Sequence, residues 1–567
     1  MGIKSITPSQ VLDSRGEPTL KVKITSDEGH SDYFVVPSGA SVGADEAQKK
    51  TDQSSSYGGL SVNSCIDLIN NVISPKFIGY PLGHQSDFDS LLIALDGTPN
   101  KEKLGANTIL ALSGAYFKLS AKITQKPLWQ YIAEQTGSSP RFPKIFANLI
   151  GGGKHAPGLE IQEFMMVPQS EKPIEAIEQI VQTYKTIGTI MTSLYGPTAK
   201  LVGDEGAIAP TGARTEVVLE ALHNLAAKSE SKFDIAIDAA ANSFYNGKDY
   251  DFEGQKIHAD ILLKTYQDLD SKYDLYSIED PFAEADIEGM ELLKTMPKDK
   301  KAFKVFSDDF TVTSADKITQ FAQEKIFDGV IIKPDQVGSI TEMLYAIKTA
   351  KELGQEIIVS HRSGENNDSF IVDLAYGIAA NGIKIGAPSR GERIAKYNRL
   401  LEIAYSQEAG QANFDSASSV PIMPAQTTAG EQPPATQRPQ TAAGTVAAPN
   451  QNSPKLSAVA AAPSTNNPSA VSAASASPAP VNPKEPIDIM NLSPPPAGQN
   501  NPAPIEIPKP NASTPQVQKV ITASGQGPDG MAKPSMRTNM PNDLAKSFNR
   551  NDQAENEQGP DSPLSIL

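Results

Sequence analysis

A single cysteine, Cys65, stands in a chain of 567 residues, which excludes a disulfide framework and fits a reducing compartment. Basic runs are absent as well. With a formal charge of −16, the chain carries no footprint for nucleic acid. No stretch approaches the length of a membrane span. The opening MGIKSITPSQ has no apolar core of a signal sequence, and Ile6 breaks the myristoylation pattern. The expectation is a cytoplasmic protein without a standard export signal, with surface or secreted display by another route still compatible. The P-loop and H-E-x-x-H patterns are also missing, which argues against P-loop nucleotide and zinc-protease chemistry.

Aromatic residues nearly vanish past residue 410. Residues 411–567 contain 26 of the 44 prolines and only two aromatics, Phe414 and Phe548, among Ala, Ser, Asn and Gln. Such a segment cannot bury enough apolar surface to offset the entropy of ordering it, so it reads as a disordered tail. The tail's 11 acidic and 9 basic residues leave −14 on the first 410. The acidity belongs to the part expected to fold. No partner of the tail can be named from its sequence, and a passive linker is the simpler reading of it.

What is present from about residue 230 onward is one pattern repeated: a short apolar run rich in β-formers, a charged residue at its end, then a helix-like stretch. The runs are FDIAID ending at Asp238, LYSIED at Glu279, KVFSDD at Asp308, GVIIK at Lys333, EIIVSHR at His361 and IKIG around Lys384. Their steps of 41, 29, 25, 28 and 23 residues suit a strand-plus-helix unit. Stretches between them, such as ITEMLYAIKTAKELG, place a glycine where a helix ends. This predicts an α/β fold, a TIM-like barrel of parallel strands whose reactive groups gather at the strands' carboxyl ends. The first 130 residues read as an α+β domain, with two strands around a DEG turn in SRGEPTLKVKITSDEGHSDYFVVP and a small-faced helix in LGANTILALSGAYFKLSAKI. The expected domains are 1–132, 140–408 and the tail 411–567.

Asp238, Glu279 and Asp308 supply three carboxylates from consecutive strand ends with no Cys or His nearby, and all-oxygen ligation favours Mg²⁺. Each alone is an ordinary loop acid. Lys333, His361-Arg362 and Lys384 follow at the next three ends and would face a polyanionic substrate. Glu163 lies inside the apolar run IQEFMMVP and Glu205 between glycines in GDEG. A carboxyl group in an apolar setting has a raised pKa and can serve as a general acid.

Nine ordered segments then resemble the enolase family: DSRGEPT (13–19), VPSGASVG (36–43), QEFM (162–165), GDEG (203–206), SIEDPF (277–282), SDDFTVT (307–313), KPDQVGS (333–339), SHRSGE (360–365) and GAPSRGERIAKYN (386–398). The resemblance covers roughly residues 1–408. It implies reversible dehydration of 2-phosphoglycerate to phosphoenolpyruvate with two Mg²⁺ per site, in a homodimer or higher homo-oligomer. Lys333 would be the base and Glu205 the acid, with Glu163 beside it. Asp238, Glu279 and Asp308 would hold the first Mg²⁺, and Ser41 would complete the second. Arg362 and Ser363, next to His361, would grip the phosphate, Lys384 the carboxylate and Gln162 the substrate, with His155 on a mobile loop. Asp309 is expected near Lys333 and not as a ligand. The sequence departs from the family pattern at Val42, Ala207-Ile208 and Asn242-Ser243, and the loop from His155 to Glu163 is one residue short. A different reading makes the chain a catalytically weak enolase-fold scaffold that works through its tail. An acid-sugar enzyme of the same superfamily is disfavoured, because SGAS with HRSGE resembles the phosphate-substrate branch.

Overall fold

The computed structural model describes residues 1–39, 43–296 and 303–417, with side chains to residue 409. Ser41 and residues 418–567 of the expected tail lie outside the described residues. The last described helix, Gly391–Ala417, runs past residue 411, where the composition shifts.

Near the N-terminus, three antiparallel strands form a sheet in the order β1 (Ile3–Leu12), β2 (Pro18–Ser26) and β3 (Ser31–Val35). The last two are the predicted pair, and Gly29 (φ +89°) supplies the left-handed residue of their turn. β1 was not anticipated. In IKSITPSQVL the fully buried positions are Ile3 and Ile6 alone, too sparse for a period-2 signal. The predicted small-faced helix is Ala106–Ile123, nearly all of it buried. It packs on the sheet so closely that a Cβ on Gly114 would lie 2.5 Å from the Phe34 ring.

Eight strands close into a barrel: β4 (Lys144–Gly151), β5 (Glu163–Pro168), β6 (Phe233–Asp238), β9 (Leu275–Glu279), β10 (Lys304–Ser307), β11 (Gly329–Ile332), β12 (Glu356–Ser360) and β13 (Gly382–Lys384). A small hairpin, β7 (Tyr250–Phe252) and β8 (Gln255–Ile257), stands apart. Phe146, Met165, Val167, Ala236, Phe306, Ile331 and Ile358 form one buried apolar cluster inside the barrel. The helix predicted in ITEMLYAIKTAKELG spans Ile340–Glu352, with Gly354 at φ +71° just past its end.

One expectation needs correction. The barrel is mixed, because β5 runs antiparallel to both β4 and β6. The segment 152–162 that joins β4 to β5 contains no helix and falls short of the dozen or more residues a parallel crossover needs, so the chain turns straight back.

Candidate active site at the barrel mouth

That reversal decides where Glu163 lies. As the first residue of an antiparallel strand, it pairs with Asp238, the last residue of β6, and Asp238 in turn pairs with Glu279, the last residue of β9. β10 pairs Phe306 with Glu279, which carries Asp308 just beyond the same rim. Lys333, His361 and Lys384 follow β11 and β12 and end β13. The structure therefore gathers Glu163, Gln162, His155, Glu205, Asp238, Asp308, Lys333, His361, Arg362, Ser363 and Lys384 around one cavity. Glu279 joins them through Lys384.

Lys384 is buried with its Nζ 2.7 Å from Glu279, 3.1 Å from Asp238 and 3.1 Å from Glu163. These carboxylates outweigh the desolvation of the ammonium and hold its pKa well above the usual lysine value. Burial, with Asp238 beside it, pushes Glu279 up to about 8. Lys333 pairs with Asp308. Burial would lower the Lys333 pKa, but Asp308 outweighs it and the ammonium is held above its ordinary value. Burial would raise Asp308, and Lys333 and Arg362 together pull it below the usual range. In this state Lys333 is an ammonium, opposite to the neutral base its assigned role requires.

Glu205 and Glu163 separate sharply. Burial raises both, but His155, His361 and Arg393 face Glu205 and hold it well below the ordinary value. Glu163, buried and exposed to the Glu205 charge, is pushed well above it. Oxygens of the two carboxyls, together with a His155 nitrogen, lie within 4.8 Å of one another. The two carboxyl groups titrate as a pair, with Glu163 pushed up and Glu205 held down. Glu163 thus differs from Glu205 because GDEG is folded beside His155, His361 and Arg393, neighbours that its sequence does not reveal. Asn148 Nδ2 donates to Glu205 Oε2 at 3.1 Å.

His155 Nδ1 stands 3.5 Å from Glu205 Oε1 and His361 Nε2 3.3 Å from the same atom. Burial, opposed by Glu205 and helped by Arg393, lowers His361 from its ordinary 6.5 to about 4. The unfolded chain takes the proton first, so this group's contribution to stability is present above about pH 6.5 and is lost as pH falls toward about 4. ¹⁵N NMR of histidine-labelled protein should find the His361 ring neutral at pH 6 and titrating near pH 4. A midpoint near 6.5 would contradict its burial.

Several groups at the site were not singled out by the sequence reading. Asp280, buried and left-handed at φ +41°, accepts the backbone N–H groups of Asp308 and Asp309 at 2.9 and 2.8 Å. This explains how two adjacent aspartates can end a buried strand: the preceding strand's own ED doublet caps their turn. Asp309 accepts from Asn242 Nδ2 at 2.7 Å, and burial next to Asp308 raises it to about 7. The departure at Asn242 thus bears on an acid that lines the cavity. Glu46 and Asp335 hold the Arg362 guanidinium at 3.2 and 3.3 Å.

A cation suits this donor set. Six carboxyl groups line the cavity against three basic side chains, Lys333, Arg362 and Lys384, and the buried Glu279 Oε1 has no hydrogen-bond partner. Among the described residues, carboxylate oxygens within 4.8 Å of one another in threes are those of Asp280, Asp308 and Asp309. The Lys333 and Lys384 ammonium groups stand against Asp308 and between Asp238 and Glu279.

Fold and site together define a barrel enzyme: an acid-rich mouth suited to a divalent cation, with buried lysines and an arginine for an anionic substrate. The family model "Enolase, C-terminal TIM barrel domain" matches residues 140–420, and "Enolase, N-terminal domain" matches residues 3–132. The chain is 40% identical to the enolase of Sulfurisphaera tokodaii over 406 residues, covering 71% of this chain and 95% of that one. It is 39% identical to the enolase of Methanopyrus kandleri over 420 residues (73% and 97%) and 37% identical to that of Methanocaldococcus jannaschii over 416 (73% and 96%). The chain belongs to the enolase family of hydro-lyases. Among the described residues, no helix is long and apolar enough to cross a membrane.

Proposed function

We propose that the protein catalyses the reversible dehydration of 2-phosphoglycerate to phosphoenolpyruvate, in the cytoplasm and as a homodimer or larger assembly. The observation that carries this reading is the pairing of a buried lysine with an ionisable glutamate pair across one cavity: Lys333 on the β11 side, Glu163 and Glu205 opposite. Lys333 would shed its own proton when a cation takes Asp308 from it and, as the neutral amine, take the proton from C2. The Glu163–Glu205 pair holds the proton that leaves with the C3 hydroxyl, and Glu205 delivers it. Arg362, clamped by Glu46 and Asp335, meets the phosphate with Ser363, and Lys384 meets the substrate carboxylate. Gln162 and His155 close around the substrate.

Asp238, Glu279 and Asp308 would hold one Mg²⁺ and Ser41 would help hold a second. That charge neutralises the acid-rich mouth and the growing charge on the substrate carboxylate, a pattern general to enolase-superfamily sites with lysine bases. Removal of a proton next to a carboxylate creates a second negative charge, and Lys384 is already placed among carboxylates to meet it. The cavity measures about 30 Å³, so substrate enters as the lysines swing off their partners. The test is ultraviolet absorbance growth from 2-phosphoglycerate with Mg²⁺, expected to stop with a chelator and return with excess Mg²⁺. Folded protein without Mg²⁺-dependent growth would overturn the reading.

A further inference from the structure

The segment GAPSRGERIAKYN carries two cations, Arg393 and Lys396, that are both completely buried in the first turns of the helix Gly391–Ala417. A buried charge is costly unless its surroundings answer it. Lys396 is answered by Glu365 at 2.8 Å and by the carbonyl of Asn366 at 2.9 Å. Arg393 is different. Its Nη1 donates to His361 Nδ1 at 2.6 Å and to the Arg362 carbonyl at 2.7 Å, and its Nη2 to the carbonyls of Ser363 at 2.7 Å and Asp204 at 3.2 Å. The nearest carboxylate, Glu392, stands 3.6 Å from Nε, which makes no hydrogen bond.

A guanidinium has no acceptor, so a close contact to an imidazole nitrogen fixes that nitrogen as the unprotonated one. His361 Nδ1 must then present its lone pair to Arg393. In the neutral ring the hydrogen therefore sits on Nε2, the nitrogen 3.3 Å from Glu205 Oε1. The opposite tautomer would set a lone pair against the carboxylate. The same guanidinium ties the loop 361–363 to the loop that carries Glu205, because Asp204 precedes it directly. Arg390, three residues earlier and just ahead of that helix, reaches the Gly203 carbonyl at 3.2 Å.

We infer that Arg393 is a positioning residue: it locks His361 as the Nε2–H tautomer and so turns an N–H, which makes no hydrogen bond in this state, toward Glu205 3.3 Å away, while joining the acid-bearing loop to the loop assigned to phosphate. Lysine cannot replace it, because one ammonium cannot reach four acceptors spread in the plane of a fork. The inference rests on the reading of Glu205 as the acid, but the tautomer can be measured whatever reaction the site performs.

The experiment uses full-length protein labelled with ¹⁵N-histidine, with Mg²⁺, at pH 7, and His361 assigned by comparison with His361→Asn. Wild type should show an unprotonated Nδ1 and a protonated Nε2. A ring protonated on Nδ1, or on both nitrogens, overturns the inference even if turnover is normal. Arg393→Lys should mix the tautomers and lower kcat about 100-fold, with a smaller change in KM, the scale expected when a positioning group shifts by about 1 Å. A folded Arg393→Lys with a single Nε2–H tautomer and wild-type kcat also overturns it. If Arg393→Lys does not fold, the wild-type spectrum alone decides. Absence of turnover in wild type with the Nε2–H signature present would sink the reaction and leave the tautomer lock standing.

Discussion

Lys333→Ala should lower turnover of 2-phosphoglycerate by about 10⁴-fold or more, at the upper end of what a general base contributes. The side chain is placed by the end of β11, and its backbone N–H donates to Thr313 Oγ1 at 2.9 Å, a bond the substitution keeps. Asp308 keeps a hydrogen bond from Gln336 Nε2 at 2.9 Å. The alanine variant should therefore fold, and its defect should lie in chemistry more than in binding. kcat falls, while KM moves little because Arg362, Ser363 and Lys384 are untouched. Glu205→Gln separates the two roles. It should also lose dehydration but keep exchange of the C2 proton with solvent, since proton removal comes first and needs only the base. Equal loss of exchange in both variants would contradict the division of labour.

Lys384→Met should destabilise the protein by about 3–5 kcal/mol near pH 8, the usual cost of leaving buried partners without their opposite charge. Three carboxyl groups within 3.1 Å lose their common ammonium at once. Burial and Asp238 already push Glu279 to about 8, and Glu163 stands well above its ordinary value. Acids whose pKa is raised on folding favour the folded state at low pH and lose that contribution as pH rises through the folded pKa, here about 8 for Glu279. The variant should thus regain stability when pH is lowered toward 6, and gain more than wild type from added Mg²⁺. Thermal melts at both pH values, with and without Mg²⁺, check this. A variant as stable as wild type at pH 8 would show that Lys384 does not neutralise the cluster.

The rim of the barrel was legible because each apolar run stops at a charged residue and each run is a strand: FDIAID is β6 to the residue, and GVII, EIIVS and KVFS are β11, β12 and β10. What was not legible depends on contacts between segments far apart. Asp280 beside Glu279 reads as one more loop acid until its carboxylate is seen capping the turn of Asp308 and Asp309. Glu46 becomes a partner of Arg362 only when the N-terminal segment lies over the barrel mouth, and Asp335, from the turn after β11, only when β11 and β12 are set side by side. The direction of β5 was hidden for another reason: a buried run such as EFMMVP has the same pattern in either direction, and only the short connection before it reveals the reversal. The ionisation of Glu205 fails from sequence on the same ground, since its basic neighbours come from residues 155, 361 and 393.

The most direct test of the central claim, that Lys333 removes the C2 proton of 2-phosphoglycerate, is proton NMR of that compound in D₂O with Mg²⁺ and full-length protein, wild type beside Lys333→Ala. Wild type should lose the C2 proton signal and form phosphoenolpyruvate, and the variant should do neither. Folded wild type that leaves the C2 signal intact, or a Lys333→Ala variant that exchanges it at the wild-type rate, would contradict the account.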